Sequence, residues 1–208
     1  MADLLLYALF VVTGYLAGSI PSGWLVARLF HHTDIREHGS GRTGSTNVWR
    51  TFGVAAGIVS FIGDTLKVIV PLVAIRLLFP DKPEGEAITA FAAIIGHNWP
   101  IFIGFRGGRG IVPGAAGLAF MVPPLLAVLW AIFLPVMFIS RYVSLASLTT
   151  VAAAPVLIAI AMFWTHIPTA YLVYAIVGGV LIVVQHRDNI ARLLAGNERR
   201  ISLGRRDS

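Results

Sequence analysis

The sequence contains no cysteine, and this absence removes several kinds of chemistry. Without cysteine among its 208 residues, thiolate catalysis, disulfide bonds and the usual sulfur-ligated zinc sites are excluded. The chain also lacks the His-Glu-x-x-His motif and any other convincing cluster of metal ligands, so no metal site is predicted. The Gly-x-Ser-x-Gly elbow, which carries the nucleophile of many hydrolases, is missing as well.

Charged residues are also scarce. They make up 12% of the chain, against about 25% in soluble domains, while hydrophobic residues reach 57% and the mean hydropathy is +0.80. Because so few polar groups could not cover a soluble globule, we predict one membrane-embedded domain over residues 1–208. The net charge of +6 is typical of cytoplasmic loops, and without an RNA-binding motif no nucleic-acid partner is expected.

Long apolar segments alternate with polar ones, and most are long enough to cross a bilayer core of about 30 Å. We predict an all-α, polytopic fold of about seven helical pieces, of which five are full spans. Pro123 and Pro124 divide one further segment, which we interpret as a re-entrant hairpin of two short helices. The predicted spans are 4–30, 51–79, 87–103, 148–163 and 171–184, with the hairpin at 111–139.

The distribution of arginine predicts the topology. Arginine is concentrated in 31–50, in 104–110 and in the C-terminal tail, whereas the loops 80–86 and 164–168 contain none. The positive-inside rule places the arginine-rich pieces in the cytoplasm, with the N-terminus outside and the C-terminus inside. Arg76 lies near the external end of its span and does not fit this pattern, so we expect it to snorkel.

Small residues in the first span predict close helix packing. Gly14, Gly18 and Ser22 recur at every fourth position, which gives a smooth ridge for a neighbouring helix. Pro21 is expected to bend the same helix near one end.

Charged residues inside the second span predict an interruption. A charge at mid-bilayer costs at least about 2.5–3.5 kcal/mol, so Gly63, Asp64 and Pro71 favour two shorter helical pieces over one rod. Asp64 and Lys67 lie three residues apart and can pair. The pair either forms a structural kink or helps to line a polar cavity.

The segment 39–44 (GSGRTG) matches the pattern Gly-x-Gly-x-x-Gly. No strand precedes it and no Gly-Lys-Ser/Thr follows, so neither a dinucleotide site nor a P-loop is predicted. Its glycines would let successive N–H groups face an anion, and a helix beginning near Thr46 or Asn47 would add its positive end. Arg42 and Arg50 could supply forked donors. The same residues also fit a flexible, solvated loop.

The segment 104–110 repeats this composition, with Arg106 and Arg109 between glycines. A plain positive-inside loop is the alternative interpretation. Two such pieces on one membrane face favour anion binding more than either alone.

Two histidine–asparagine pairs are further candidates for chemistry. His97 and Asn98 are adjacent, and His186 and Asn189 are three residues apart, which would place the latter pair on one face of a helix. Their side chains either take part in catalysis or form structural hydrogen bonds.

The chain resembles the bacterial membrane acyl-phosphate:glycerol-3-phosphate acyltransferases. Three motif regions, in the order of that family, carry the resemblance. They comprise 18–21 (GSIP) with 34–36 (DIR) and 39–50 (GSGRTGSTNVWR), then 96–110 (GHNWPIFIGFRGGRG), then 186–198 with its His, Asn, Arg and Glu. Each motif is short, but together they are specific and extend over nearly the whole chain.

The resemblance implies about seven helices, with the motifs at the cytoplasmic face of the bacterial inner membrane. It implies acyl transfer from a fatty acyl phosphate to the 1-hydroxyl of sn-glycerol 3-phosphate, the first acylation step of phospholipid synthesis. The products would be 1-acyl-sn-glycerol 3-phosphate and phosphate. No cofactor, metal, coenzyme A or carrier protein would be needed, and we expect a monomer surrounded by membrane lipid.

The resemblance also implies site residues, by their positions in the matching motifs. The resemblance implies a donor-phosphate pocket in 40–50, a second phosphate contact from Arg109, and acceptor binding by His186 and Asn189 with Ser144 or Ser147 nearby. The residues assigned to catalysis are His186, Asn189, Arg50 and Arg109. The residues assigned to substrate binding are Ser40, Gly41, Arg42, Gly44, Thr46, Asn47, His97, Asn98, Arg106, Gly107, Gly108, Gly110, Ser144 and Ser147.

The sequence departs from the family pattern at several of these positions. Arg42 stands where asparagine is usual, Ser45 replaces alanine, and Arg106 and Arg109 replace lysines. Val-Pro at 112–113 replaces the usual Ala-Thr. Replacing lysine by arginine keeps the charge but changes the hydrogen-bonding geometry.

The chemistry needs little from the protein, because an acyl phosphate is already activated and phosphate is a good leaving group. Placing two anions together and stabilising the developing oxyanion would suffice. The hydroxyl proton goes either to a substrate phosphate oxygen or to His186. Two rival functions stay open: a small-anion membrane transporter that uses the same clusters, and a paralogous acyltransferase with another acceptor.

Overall fold

The computed structural model describes residues 2–201 and is all-helical over that range. Ten α-helices are joined by short connections, with 3₁₀ turns at Ile35–Glu37 and Ile101–Ile103. The α-helices are α1 Ala2–Gly18, α2 Ser22–Phe30, α3 Ser45–Phe52, α4 Val54–Leu78, α5 Pro83–Asn98, α6 Ile111–Met121, α7 Pro123–Ser140, α8 Val143–Ala161, α9 Thr169–Gln185 and α10 Arg187–Leu194.

Several helices are long and apolar enough to cross a membrane. Four stretches of the described chain qualify, namely Asp3–Phe30, α4, α7 and α8, and α9 with α10 would make a fifth across a bend of 62°. The 16-residue α5 ends at Asn98, short of the end of the span expected over 87–103, and α7 is long and apolar enough to cross where a hairpin was expected.

The count of helices exceeds the prediction of about seven because the chain breaks where its sequence cannot continue a helix. The expected bend near Pro21 is a break between α1 and α2. Gly53, with φ of +94°, separates α3 from α4 in a conformation that favours glycine. Val122 separates α6 from α7, next to the two prolines. However, α7 has 18 residues, so the prediction of two short helices at 111–139 is wrong for the second of them.

The second span also differs from the prediction. Instead of two pieces, α4 is one helix of 25 residues that contains Asp64, Lys67 and Pro71. Both charged side chains are buried in protein and pair with each other, with 2.7 Å between Lys67 Nζ and Asp64 Oδ1. Since neither charge faces lipid, the helix does not need to break.

Small residues bring α1 against α5, as the ridge of the first span predicts. A Cβ atom at Gly14 would collide with the backbone of Thr89, and one at Gly18 would collide with the backbone of Ala93. α5 also packs against α4, α6 and α9, so this short helix lies at the centre of the molecule.

A second charged cluster connects α4, α5 and α9. Arg76 donates to both carboxylate oxygens of buried Glu86, at 2.8 and 2.7 Å, and the Tyr171 hydroxyl donates to Glu86 Oε2 at 2.8 Å. The Arg76 guanidinium also lies 3.9 Å from the ring centre of Phe120. We call Arg76, Glu86 and Tyr171 the distal cluster. The expectation that Arg76 merely snorkels misses this pairing, which depends on a partner from another helix.

Candidate active site

One cavity of about 750 Å³ brings most of the predicted site residues together. Its polar part is formed by the 31–50 loop, the 104–110 loop and the region around the α9–α10 bend. The predicted residues on its wall are Ser40, Arg42, Gly44, Thr46, Asn47, Arg50, His97, Arg109, Gly110, Ser144, Ser147, His186 and Asn189.

The 31–50 loop is folded rather than flexible. The Asp34 side chain accepts from Arg36 N at 2.9 Å and pairs with the Arg36 guanidinium at 2.7 Å, while the Ile35 side chain is fully buried. The hydrogen bonds from Arg36 hold the pKa of Asp34 well below its ordinary value. Arg36 Nη1 also donates to Ile103 O at 2.7 Å. This contact ties the first basic loop to the region that leads into the second.

The Asn47 side chain organises this loop through hydrogen bonds to its backbone. Its Oδ1 accepts from Ser40 N at 2.9 Å, and its Nδ2 donates to His38 O at 3.0 Å and Arg42 O at 2.9 Å. A Cβ atom at Gly39 would collide with Asn47 Oδ1. The amide therefore positions the backbone of Ser40 and Arg42, and the assignment of Asn47, which lines the cavity, to substrate binding stays a prediction.

The start of α3 and three arginines, Arg42, Arg50 and Arg109, give this end of the cavity a positive potential. α3 begins at Ser45, close to the expected Thr46 or Asn47, and its first residues line the cavity, so its free N–H groups add positive potential. Burial lowers the pKa of Arg50, and burial followed by the charges of Arg42 and Arg192 lowers the pKa of Arg109 to about 10. Crowded, partly buried guanidinium groups of this kind favour a bound anion.

The 104–110 loop is held by the end of α5. Gly107 N donates to Asn98 O at 3.2 Å, and Gly108 N donates to His97 O at 3.0 Å. A Cβ atom at Gly108 would collide with His97 Nε2. Arg109 then points to the cavity, and its Nε has no hydrogen-bond partner among residues 2–201.

Some predicted substrate-binding residues do not line the cavity. Gly107 and Gly108 are buried against α5, and Asn98 is buried beneath the same loop. Arg106 is exposed, and Gly41 is exposed in a turn with φ of +69°. These residues shape or flank the loops, and their assignment to direct substrate contact stays a prediction.

His186 and Asn189 meet on the cavity wall at the bend between α9 and α10. His186 Nδ1 lies 2.8 Å from Ile182 O, and because a carbonyl can only accept, the ring proton is on Nδ1. Neutral His186 therefore presents Nε2 as an acceptor. Asn189 Nδ2 donates to Glu198 Oε1 at 2.7 Å, and its buried Oδ1 has no hydrogen-bond partner within the described chain.

Glu198 is a site residue that sequence reasoning left without a role. Besides Asn189, Ser144 Oγ donates to it at 2.9 Å and Arg192 Nε at 2.7 Å. Burial raises the pKa of Glu198, but the bonds from Asn189, Arg192 and Ser144 outweigh burial and lower it below its ordinary value. Ser144 is 54 residues away, so no local pattern could reveal this contact.

Three buried residues, which we call the cavity triad, lie behind the 104–110 loop. They are Asp64, Lys67 and His97, and Asp64 and His97 line the cavity. Lys67 Nζ lies 2.9 Å from His97 Nδ1. The predicted pairing of Asp64 with Lys67 is confirmed, and Asp64 lines the cavity while both residues lie within the continuous helix α4.

The rest of the cavity is apolar. Phe61 of α4 and Trp130, Phe133, Leu134 and Met137 of α7 line it, together with small residues of α6 and α8. A cavity with an arginine-rich end and a long hydrocarbon wall suits a ligand that has an anionic head and an apolar chain.

Comparison with known proteins agrees with this geometry. The model of the glycerol-3-phosphate acyltransferase family matches residues 8–196. The chain is 40% identical to the glycerol-3-phosphate acyltransferase of Desulforudis audaxviator (90% of this chain, 92% of the relative) and 39% identical to that of Halalkalibacterium halodurans (93% and 94%).

Two solved structures are also similar. Both are of PlsY (YgiH), an integral membrane glycerol 3-phosphate acyltransferase, in its glycerol 3-phosphate and lysophosphatidic acid forms. The first has a TM-score of 0.87 at 35% identity and covers 94% of this chain and 96% of the other. The second has a TM-score of 0.84 at 34% identity, with 94% and 95% covered. The chain therefore belongs to the glycerol-3-phosphate acyltransferase family of integral membrane proteins.

Proposed function

We propose that the protein transfers a fatty acyl group from acyl phosphate to the 1-hydroxyl of sn-glycerol 3-phosphate. The observation that supports this most directly is a cavity in which an arginine-lined end continues into a long apolar wall. An acyl phosphate has the same division into a compact anion and a hydrocarbon chain. Lysophosphatidic acid, the proposed product, has it too.

The proposed reaction balances without a cofactor. The 1-hydroxyl oxygen of the acceptor attacks the carbonyl carbon of the acyl phosphate, and the bond from that carbon to the phosphate oxygen breaks. The electron pair leaves with phosphate, which departs as inorganic phosphate. The hydroxyl proton goes to a substrate phosphate oxygen or to His186 Nε2, which its Nδ1 hydrogen bond leaves as an acceptor.

Roles within the cavity follow from position. We assign the donor phosphate to the first turn of α3 with Ser40, Arg42 and Arg50, because N–H groups and guanidinium groups converge there. Arg109 neutralises substrate phosphate from the opposite loop.

We assign the acceptor to the other wall of the polar end. His186 Nε2 and Asn189 Oδ1 can accept hydrogen bonds from glycerol hydroxyls, with Ser144 and Ser147 nearby. Proximity of two bound anions would then supply most of the rate enhancement.

The proposal also covers the domain organisation, oligomeric state, location and topology of the protein. The chain forms one membrane-embedded domain and acts as a monomer in the bacterial inner membrane. Its N-terminus is outside, and its C-terminus and active site face the cytoplasm. Family membership favours an acyltransferase over a small-anion transporter. The arginines at 42, 106 and 109 keep a paralogue with another acceptor as the alternative that an assay must exclude.

The test uses the purified full-length protein in lipid vesicles with palmitoyl phosphate and glycerol 3-phosphate. We expect equal amounts of lysophosphatidic acid and phosphate, formed only when both substrates are present. An Arg50→Ala/Arg109→Ala variant is the control for uncatalysed hydrolysis. No acceptor-dependent product would overturn the proposal, activity with acyl-CoA alone would change the donor class, and acylation of only other phosphorylated alcohols would support the paralogue.

A further inference from the structure

The cavity triad is built around one ammonium group with three neighbours. Lys67 Nζ lies 2.7 Å from Asp64 Oδ1, 2.8 Å from Ile20 O and 2.9 Å from His97 Nδ1. The lysine side chain is 2% exposed and that of Asp64 is 1% exposed. A lysine ammonium has three donors and no acceptor, so all three contacts use it as the donor.

This arrangement fixes the tautomer of His97. Because Lys67 donates to Nδ1, that nitrogen carries the lone pair and the ring proton lies on Nε2. The separation of 3.6 Å between His97 Nδ1 and Asp64 Oδ1 is too long for a competing hydrogen bond. The ring is therefore held at one edge by Lys67, and its other edge faces away from α4.

That other edge supports the loop that carries Arg109. His97 Nε2 is the closest atom to the place where a Cβ atom of Gly108 would lie. The backbone is bound at the same point, since Gly108 N donates to His97 O at 3.0 Å. Arg109 follows directly in the chain, so a shift of the His97 ring would move its guanidinium in the cavity.

We propose that Asp64 and Lys67 act through His97 as positioning residues, which hold the Gly107–Gly110 loop and thereby set the place of Arg109 in the cavity. Neither Asp64 nor Lys67 needs to touch the reacting atoms for this. The inference rests on the proposed function, because it concerns how Arg109 meets a substrate phosphate.

The distal cluster offers a matched control. Arg76 of α4 and Glu86 of α5 form an ion pair of 2.7 Å, as Asp64 and Lys67 do within α4, but neither Arg76 nor Glu86 lines the cavity. Along α4, Arg76 lies about 18 Å from Asp64 at a rise of about 1.5 Å per residue. We therefore compare Asp64→Asn/Lys67→Met with Arg76→Met/Glu86→Gln, since each pair removes both charges with little change in volume.

The first measurement is steady-state kinetics with both substrates, in parallel with thermal unfolding. We expect Asp64→Asn/Lys67→Met to raise the KM for one phosphate substrate and to lower kcat/KM about tenfold, because a misplaced positioning group loses transition-state binding. Arg76→Met/Glu86→Gln should lower the unfolding temperature without changing either KM. Equal kinetic effects of the two pairs at equal loss of stability would overturn the proposal.

The second measurement is a double-mutant cycle between the Asp64–Lys67 pair and Gly108, with His97 in contact with Lys67 and next to Gly108. In the wild-type background, Gly108→Ala should lower kcat/KM strongly because Lys67 keeps the ring from moving. In the Asp64→Asn/Lys67→Met background the His97 ring can move away from Gly108. Gly108→Ala should therefore lower kcat/KM by about threefold or less. Purely additive effects would contradict the proposal.

A further variant covers the case in which the triad variant does not fold. His97→Gln keeps an oxygen acceptor for Lys67 but removes the ring beside Gly108, so Gly108→Ala should again become mild. An undiminished effect in that background would overturn the inference. If Arg109→Ala retains wild-type kinetic constants, the proposed role of Arg109 fails; if Arg109→Ala is impaired while the triad variants are not, this inference alone fails.

Discussion

The cavity triad and the distal cluster are two charged clusters that each join α4 to α5, and they are completed differently. In the distal cluster, Glu86 receives two hydrogen bonds from Arg76 and one from Tyr171. In the cavity triad, Lys67 uses its donors on three groups, yet the carboxylate oxygens of Asp64 have no hydrogen bond beyond the ion pair among residues 2–201.

This difference fits a structural role for the distal cluster and the proposed positioning role for the cavity triad. A buried ion pair contributes little net stability unless its remaining lone pairs are satisfied, and the distal cluster satisfies them. In the cavity triad, the Asp64 carboxylate at the cavity wall lacks further hydrogen bonds among residues 2–201, next to the loop of Arg109. Incomplete polar groups of this kind are expected where a ligand binds. The following predictions test whether substitutions at the cavity lower activity and substitutions at the distal cluster lower stability.

The largest effect is expected for a cavity arginine. Arg50→Ala should lower kcat/KM by about 10²–10³-fold, because it removes a donor to developing phosphate charge. Arg106→Ala is the matched control, since its side chain is exposed outside the cavity, and it should change kcat/KM by less than about threefold. Initial rates with palmitoyl phosphate decide between them, and equal losses would place Arg106 in the site after all.

A loss of stability without loss of chemistry is expected at the distal cluster. Glu86→Ala leaves the buried hydroxyl of Tyr171 without its acceptor and Arg76 without its partner. We expect about 2 kcal/mol less unfolding free energy, with kcat and both KM values of the folded fraction unchanged. Thermal unfolding in detergent measures the first and vesicle assays the second. A raised KM would mean that the distal cluster also influences the cavity.

A smaller effect is expected at His186 if a substrate phosphate is the base. His186→Ala should then keep kcat within about threefold and raise the KM for glycerol 3-phosphate about tenfold, because a hydrogen bond to the acceptor is lost in binding. Saturation kinetics with each substrate separate these constants. A fall in kcat with an unchanged KM would instead identify His186 as the proton acceptor.

The smallest effect is expected on the pH dependence of stability, to which Glu198 contributes. Its pKa in the folded protein lies below the ordinary value of 4.5, so its stabilising contribution is present above that value and decreases as the pH falls through the folded pKa. Glu198→Gln should be less stable at pH 7 by about 1 kcal/mol and should lose less stability between pH 5 and 4 than the wild type. Thermal unfolding across this pH range measures both, and parallel curves would contradict the prediction.

Local sequence features predicted much of the fold. The small residues Gly14 and Gly18 predicted the packing of α1 on a neighbour, and Pro21 predicted a bend where the structure has a break between α1 and α2. The three-residue spacing of Asp64 and Lys67 predicted their ion pair. Each of these properties depends on residues close together in the chain, where backbone geometry leaves few alternatives.

Other features depended on contacts between distant segments. Asn47 was expected to bind substrate, but its amide is bound to its own loop. Glu198 meets Ser144 across 54 residues, and Arg76 pairs with Glu86 of another helix. None of these partners can be read from spacing along the chain, because only packing brings them together.

The sequence by itself therefore determined a polytopic helical membrane protein with two basic, glycine-rich loops and a family-specific set of polar residues. Composition and local periodicity suffice for that, since a bilayer leaves few ways to satisfy backbone polar groups. The tertiary structure alone decided which polar residues line the cavity, which ones hold the loops, and that Lys67 reaches His97. These outcomes depend on side-chain distances between helices, which burial and hydrogen-bond satisfaction select only in the folded protein.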